Sequence, residues 1–165
     1  IWRADFSPTQ PAFALIGFAD DKTFTAETIR NRLAQLKHDP ANPHLINTYA
    51  IWMNFIGSVK RSDINPKWRI NSEDRPWVEL LGPISATRQN SFVGRPLQNW
   101  CRELNAVSMS RFNAGELEAA AMNAGDLLFD FTLALSENNQ PAATRAQSQL
   151  QQLLPPALYT IIFPQ

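Results

Sequence analysis

Asp130 is the residue whose setting asks most clearly for chemistry. It stands between Phe129 and Phe131 in the apolar run Asp126-Leu-Leu-Phe-Asp-Phe131. On a helix, Phe129 and Phe131 point about 200° apart, so the two rings cannot share a face. A carboxylate among apolar side chains is costly unless it is paired, and the usual partner is an arginine that can bind both oxygens. The sequence therefore calls for an arginine from elsewhere in the fold. The plainer alternative is an Asp on the polar edge of the helix, partly in water. Asp126, one turn earlier, falls at an expected helix start and is expected to be mostly solvated.

Other reactive groups point away from catalysis. Cys101 has no sequence-local partner that would mark it as a nucleophile, and on a helical stripe it reads as a small core residue. A single cysteine excludes an internal disulfide framework and a cysteine-cluster zinc site. With His38 and His44 as the only histidines, a multi-histidine centre is not expected either. His38 follows Lys37 at a helix end, where a cation suits the dipole. Asp20 and Asp21 are adjacent at a loop, and nothing marks them as metal ligands. There is no glycine-rich phosphate loop and no Gly-x-Ser-x-Gly. We therefore expect no enzyme, no catalytic residue, no metal and no cofactor. Trp52, Trp68, Trp77 and Trp100 have ring faces that could stack on bases of any sequence. Trp52 and Trp100 lie on amphipathic stripes and read as core; for Trp68 and Trp77 both readings stand.

Charge is balanced overall, with 15 basic and 15 acidic side chains in 165 residues, yet unevenly placed. Residues 1–59 hold five of each sign. Residues 60–111 hold nine basic side chains, among them Lys60, Arg61, Arg69, Arg88 and Arg95, against five acidic. Residues 112–165 hold only Arg145 against five acidic. A basic middle can meet phosphates, and an acidic last third can meet a neighbouring copy. The alternative is a solvated surface with uneven charge. No apolar run approaches the roughly 20 residues of a membrane span, so no membrane partner is expected. No signal peptide is legible, and a start at Ile1 leaves room for a leader or flexible arm ahead of it.

The elements that must position these residues read as helices. Residues 1–22 look like an arm, because Pro8 and Pro11 break any helix while Trp2, Phe6, Phe13 and Phe18 need a groove on this subunit or another. Thr23 or Thr25 can cap a helix that presents Ile29, Leu33 and Leu36. Asn42-Pro43 opens another, with Leu45, Tyr49, Trp52, Ile56 and Val59 at helical spacing. Asp74-Arg75-Pro76 starts a short helix ending at Gly82-Pro83. Arg95-Pro96 opens a helix with Leu97, Cys101, Leu104 and Ser108 on one stripe. Asn113 and Glu116 have capping-box spacing ahead of Leu117, Ala121 and Met122. Gly125 is expected to interrupt before Leu127, Leu128, Phe131 and Leu135 continue. After Pro141 a polar helix runs to Leu154, and Pro155-Pro156 begins a tail. The reading is all-α: a helical core over residues 23–154, with extended arms at residues 1–22 and 155–165.

At Phe129-Asp130-Phe131 the sequence resembles the coat proteins of flexuous filamentous plant RNA viruses, the potexvirus, potyvirus and related groups. The potyvirus type continues with a Ser, a Pro and an Arg-Ala pair ahead of a polar helix. Ser136, Pro141 and Arg145-Ala146 stand here in that order. Ala50-Ile51-Trp52 and Ser62 resemble an upstream helix start and the loop serine after it. Arg95, leading Pro96-Leu97-Gln98-Asn99-Trp100-Cys101, resembles the arginine that opens a mid-chain helix. Alignment on Leu97 and Cys101 instead puts Gln98 at that position, and Thr87-Arg88-Gln89 carries similar letters.

The resemblance implies a helical capsid subunit in a virion formed in host cytoplasm. It would hold single-stranded RNA in a groove without sequence preference, as a homo-oligomeric filament joined through both arms. Ser62 would donate to a phosphate or base. Arg95, or Arg88, would bridge a phosphate and Asp130. Lys60, Arg61 and Arg69 would add attraction for any strand. The competing reading is a helical protein–protein module of a bacterial envelope or secretion assembly.

Overall fold

The computed structural model describes residues 1–3, 6–9, 11–14, 25–35, 48–59, 93–112 and 114–164. Helix dominates them, in agreement with the all-α expectation. The elements are strands β1 (Trp2–Arg3) and β2 (Phe13–Ala14), then helices α1 (Ala26–Gln35), α2 (Thr48–Asn54), α3 (Gly94–Arg111), α4 (Glu116–Ser136), α5 (Gln140–Leu153) and α6 (Pro156–Ile162). The expected helix over Asp74–Leu81 and the Asn42-Pro43 start lie outside the described residues.

Helix α4 is the centre of the fold, and α2, α3 and α5 all pack on it. It is continuous through Gly125, where the sequence suggested a break. The glycine is there for a close crossing: a Cβ would lie 1.9 Å from the carbonyl oxygen of Met53 at the end of α2. The N-cap is Gly115, whose N–H donates to the Glu118 carboxylate at 3.0 Å. This is half of a capping box, set two residues later than the Asn113–Glu116 spacing suggested. At the other end Asn138 takes a left-handed conformation (φ 55°), and the Asn139 N–H returns to the Ala134 carbonyl at 2.8 Å. Asn139 then caps α5, accepting from the Ala142 N–H at 3.2 Å. Small inward residues, Ala143 and Ala146, let α5 lie against α4, with Leu150 fully buried below them.

Two hydrophobic clusters flank α4. The larger holds Tyr49, Trp52, Met53, Met122, Leu128, Leu150, Leu154 and Leu158. Within it the Tyr49 hydroxyl donates to the Leu153 carbonyl at 2.9 Å. The smaller joins Leu97 and Cys101 of α3 to Phe129 and Leu133 of α4, with Ile56. Phe129 belongs to this cluster and Phe131 packs on the larger, as their angular separation requires. The α3 stripe is also as expected: Leu97, Cys101 and Ser108 are buried and Leu104 is half-buried. Thr25 caps α1, its hydroxyl accepting from the Thr28 N–H at 3.2 Å.

Two further expectations change, and the groove left open for the leading residues is filled in part. Helix α2 ends at Asn54 rather than running through Ile56 and Val59, because the Ile56 N–H turns to the Ile1 carbonyl at 3.0 Å. Gly57 then lies flat on α3, where a Cβ would meet Leu104 at 2.6 Å. The tail over 155–165 is not extended: Pro156–Ile162 is helix. Pro155-Pro156 stops α5, but Pro156 at a first helical position is pre-set for a new helix. That helix buries Leu158 and places Phe163 edge-on to Phe131, ring centroids 5.1 Å apart. Finally, the groove that residues 1–14 occupy in their described part is the chain's own. Strand β1 pairs with β2 and bridges Phe55 through Trp2. Arg3 meets Asp126, the Phe6 carbonyl accepts from the Thr132 hydroxyl at 2.8 Å, and the Pro8 carbonyl accepts from the Gly94 N–H at 2.9 Å.

Gly125→Ala tests the crossing. Overpacking costs about 1–3 kcal/mol, and a backbone oxygen cannot swing aside as a side-chain tip can. The loss should therefore exceed the roughly 1 kcal/mol that alanine gains over glycine in a helix. Urea denaturation should show a net destabilised protein.

Candidate nucleic-acid interface

Helices α3 and α4 run antiparallel, and polar side chains line one side of their seam. On α3, Arg95, Gln98 and Arg102 recur at helical spacing; Asp130 on α4 and Glu137, which caps its C-terminal end, are two turns apart. The pairs match end to end. Arg95 grips Glu137 with two bonds, Nη2 to Oε2 at 2.5 Å and Nε to Oε1 at 3.1 Å. Asp130 takes the Gln98 amide on Oδ1 and Arg102 Nη2 on Oδ2, the latter at 2.6 Å. Gln98 is buried, whereas the Arg102 and Asp130 side chains keep 45% and 31% of their exposure. Asp130 is thus neither a lone edge carboxylate nor a fully buried one. One oxygen is spent inside the seam on an amide, and the other holds an arginine that stays half-exposed.

The arginine partner is a correction. Arg95 was expected on Asp130, but it stands two turns too far toward the α4 end and reaches Glu137. Gln98 occupies the place that alignment on Leu97 and Cys101 suggested. Arg102, adjacent to Cys101, was overlooked, although its spacing from Gln98 was a usable signal. Ser62, Lys60, Arg61, Arg69 and Arg88 lie outside the described residues, as do Trp68, Trp77, His38, Asp20 and Asp21. Ser136 donates to the Leu133 carbonyl at 2.7 Å, a local helix bond, and Arg145 is exposed on α5. Trp52 is core as read, but Trp100 is an exposed large apolar residue.

A second charged pair sits at the same seam. Arg3 Nη2 bonds Asp126 Oδ1 at 2.9 Å, with side-chain exposures of 2% and 17%. The solvated Asp126 expected at a helix start is therefore wrong, because α4 is unbroken there and Asp126 faces inward. The Arg3 guanidinium lies over Phe129 and Phe6, 5.3 and 5.5 Å from their centroids. Burial pushes the Cys101 thiol up, and the charge of Arg3 draws it only partly back. Arg3 Nε is buried with no partner. The same argument that singled out Asp130, a carboxylate within an apolar helix, applied to Asp126 and would have found this pair.

Among the described residues no group of three or more His, Cys, Asp or Glu could hold a metal ion, and no helix is long and apolar enough to cross a membrane. Comparison of the chain with protein-family models, curated proteins and solved structures gives no match.

The two aspartates should differ in the order opposite to the one their sequence positions suggest. Asp126→Ala strands a buried guanidinium, at a cost of about 3–5 kcal/mol. Asp130→Ala leaves Arg102 to water and only the Gln98 amide unpaired, about 1–3 kcal/mol. Denaturation of both variants gives the comparison directly. A pH series reads Cys101. Its folded-state value is raised, so its contribution is full below the ordinary thiol range and lost as pH rises through the raised value. Relative to Cys101→Ala, the wild type should hold its stability at neutral pH and lose it progressively as pH rises past the ordinary thiol value of about 8.5.

Proposed function

We propose that this chain is the subunit of a helical ribonucleoprotein filament: a coat protein that polymerises around single-stranded RNA without reading its sequence. The reading carries with it a virion assembled in host cytoplasm and no catalytic role. The observation that supports it most is Asp130 between Phe129 and Phe131, holding a half-exposed Arg102 at the α3–α4 seam. That is the carboxylate–arginine pair the resemblance calls for, reached through a different arginine.

The chemistry suits a sequence-tolerant strand. Asp130 fixes one edge of the Arg102 guanidinium, so the free N–H groups are held in one direction and little rotamer entropy is lost when they meet a phosphate. Buried Gln98 satisfies the inner oxygen, so Asp130 needs no second arginine. Phosphate contacts of this kind position a strand but carry no base information, as a genome-length ligand requires. Paired charges at the seam also limit repulsion between stacked subunits, and the basic segment around Lys60, Arg61, Ser62, Arg69 and Arg88 would supply the added attraction.

Absorbance of the purified assembly at 260 and 280 nm, before and after nuclease, tests the reading with electron microscopy alongside. RNA-bearing filaments are expected. RNA-free particles or a monomer with a plain protein spectrum would favour the protein–protein module instead. For Arg102→Ala, affinity for an oligouridylate should fall and the dependence of log K on log salt should flatten by about 0.7, one phosphate's worth for a single strand. An unchanged slope would remove Arg102 from the interface.

A further inference from the structure

Arg3 bonds Asp126, lies over Phe129 and acts electrostatically on Cys101, and each of these is joined to a member of the Asp130 site. Asp126 is one helical turn from Asp130 on α4. Phe129 is its sequence neighbour. Cys101 is the neighbour of Arg102 on α3, one turn from Leu97 and three residues from Gln98. Asp126 and Phe129 lie on α4, and Phe129 packs in one cluster with Leu97 and Cys101 of α3, so Arg3 bears on both sides of the seam. Its burial leaves no alternative: the guanidinium cannot be solvated in place, and Nε already lacks a partner. If Arg3 leaves, Asp126 is an uncompensated, mostly buried charge, and α4 must shift or open to wet it. The Gln98–Asp130–Arg102 bonds span the same two helices and would not survive such a shift unchanged.

We propose that Arg3 is a positioning residue for RNA at Arg102, so that seating of residues 1–14 and strand binding favour each other. The inference rests on the RNA reading above. Linkage makes the effect reciprocal: whatever the seated segment adds to RNA affinity, RNA adds to the seating. Arg3 itself is too buried to meet a phosphate, so its influence must pass through Asp126, Phe129 and Cys101. The thiol of Cys101, covered in the seated form, gives a reporter that does not depend on measuring RNA binding.

The test uses the full chain, a fluorescent oligouridylate and alkylation of Cys101 by iodoacetamide, with circular dichroism to verify folding. Arg3→Ala should bind the oligonucleotide about tenfold more weakly, within the usual range of coupling between sites. Its salt slope should stay that of the wild type, and Cys101 should react faster. Arg3→Lys, which keeps a charge for Asp126, should recover most of the affinity. Saturating oligonucleotide should slow Cys101 alkylation by a larger factor in the wild type than in Arg3→Ala, whereas general stabilisation by a bound strand would slow both alike. Wild-type affinity in Arg3→Ala, a flattened salt slope, or alkylation indifferent to RNA or slowed alike in both would each overturn the proposal while leaving the RNA reading in place. If Arg3→Ala does not fold, the affinity and alkylation of Arg3→Lys, set against the wild type, decide. A wild type that binds no oligonucleotide overturns both, and faster alkylation in Arg3→Ala would then report only the Arg3–Asp126 pair.

Discussion

An arginine buried to the extent of Arg3 has to be answered by a carboxylate, and much of this fold follows from where that carboxylate is. Asp126 stands at the middle of α4, so residues 1–14 must cross the α3–α4 seam at that level. The guanidinium also lies over the Phe6 and Phe129 rings, and Cys101 is buried in the same cluster as Phe129. The pair is poor evidence of stability in its own right, since desolvation offsets much of its attraction. What it supplies is register. Only one placement of the leading segment, and one rotation of α4, brings Arg3 and Asp126 together, and that rotation also aims Asp130 at Gln98 and Arg102.

Rotation alone does not bring α4 close to its neighbours; small residues do. Gly125, next to Asp126, admits the Met53 carbonyl, and Gly57 admits α3 on the other side. Ala143 and Ala146 do the same for α5. The large side chains are therefore spent in two separate clusters, one on each side of α4, rather than between helix axes. Phe129 and Phe131 belong to different clusters for this reason. The aspartate between them is left at the border, where one oxygen faces the seam and the other faces water.

How much of this was legible depended on the range of the interactions. Local signals read well: the Thr25 cap, the Leu97–Ser108 stripe, the Asn139-Gln140-Pro141 start and the divergence of the two phenylalanines all follow from spacing on a helix. Gly125 was misread because a glycine in a helix looks the same whether it ends the helix or admits a neighbour; only the partner, Met53, decides. Pro156 was misread because a proline that ends one helix is equally suited to open the next. Asp126 was misread as a consequence of Gly125, since a helix start implies solvent and a helix middle does not. The need of Asp130 for a cation was legible, but the choice among Arg88, Arg95 and Arg102 was not, because it depends on the offset between two antiparallel helices. That offset places Arg95 beside Glu137, and the arginine two turns further along α3 is then level with Asp130.

The same offset bears on what kind of site this is. An arginine at position 98 would bury a second guanidinium on Asp130 and leave the local charge positive by one. Glutamine there satisfies the oxygen without adding charge, so the seam stays neutral: Arg95 with Glu137, Arg102 with Asp130, Arg3 with Asp126. A neutral seam does not draw a polyanion from a distance; it orders one that other charges have brought near. In the proposed coat subunit, attraction would come from elsewhere in the basic middle third, and the seam's part would be to hold a single guanidinium at a fixed angle. That division would suit a subunit that keeps its strand along a filament without repelling its own neighbours. Weak, oriented contacts repeated at every subunit give avidity through number, while strong local charge would gain little more and would raise the repulsion between copies.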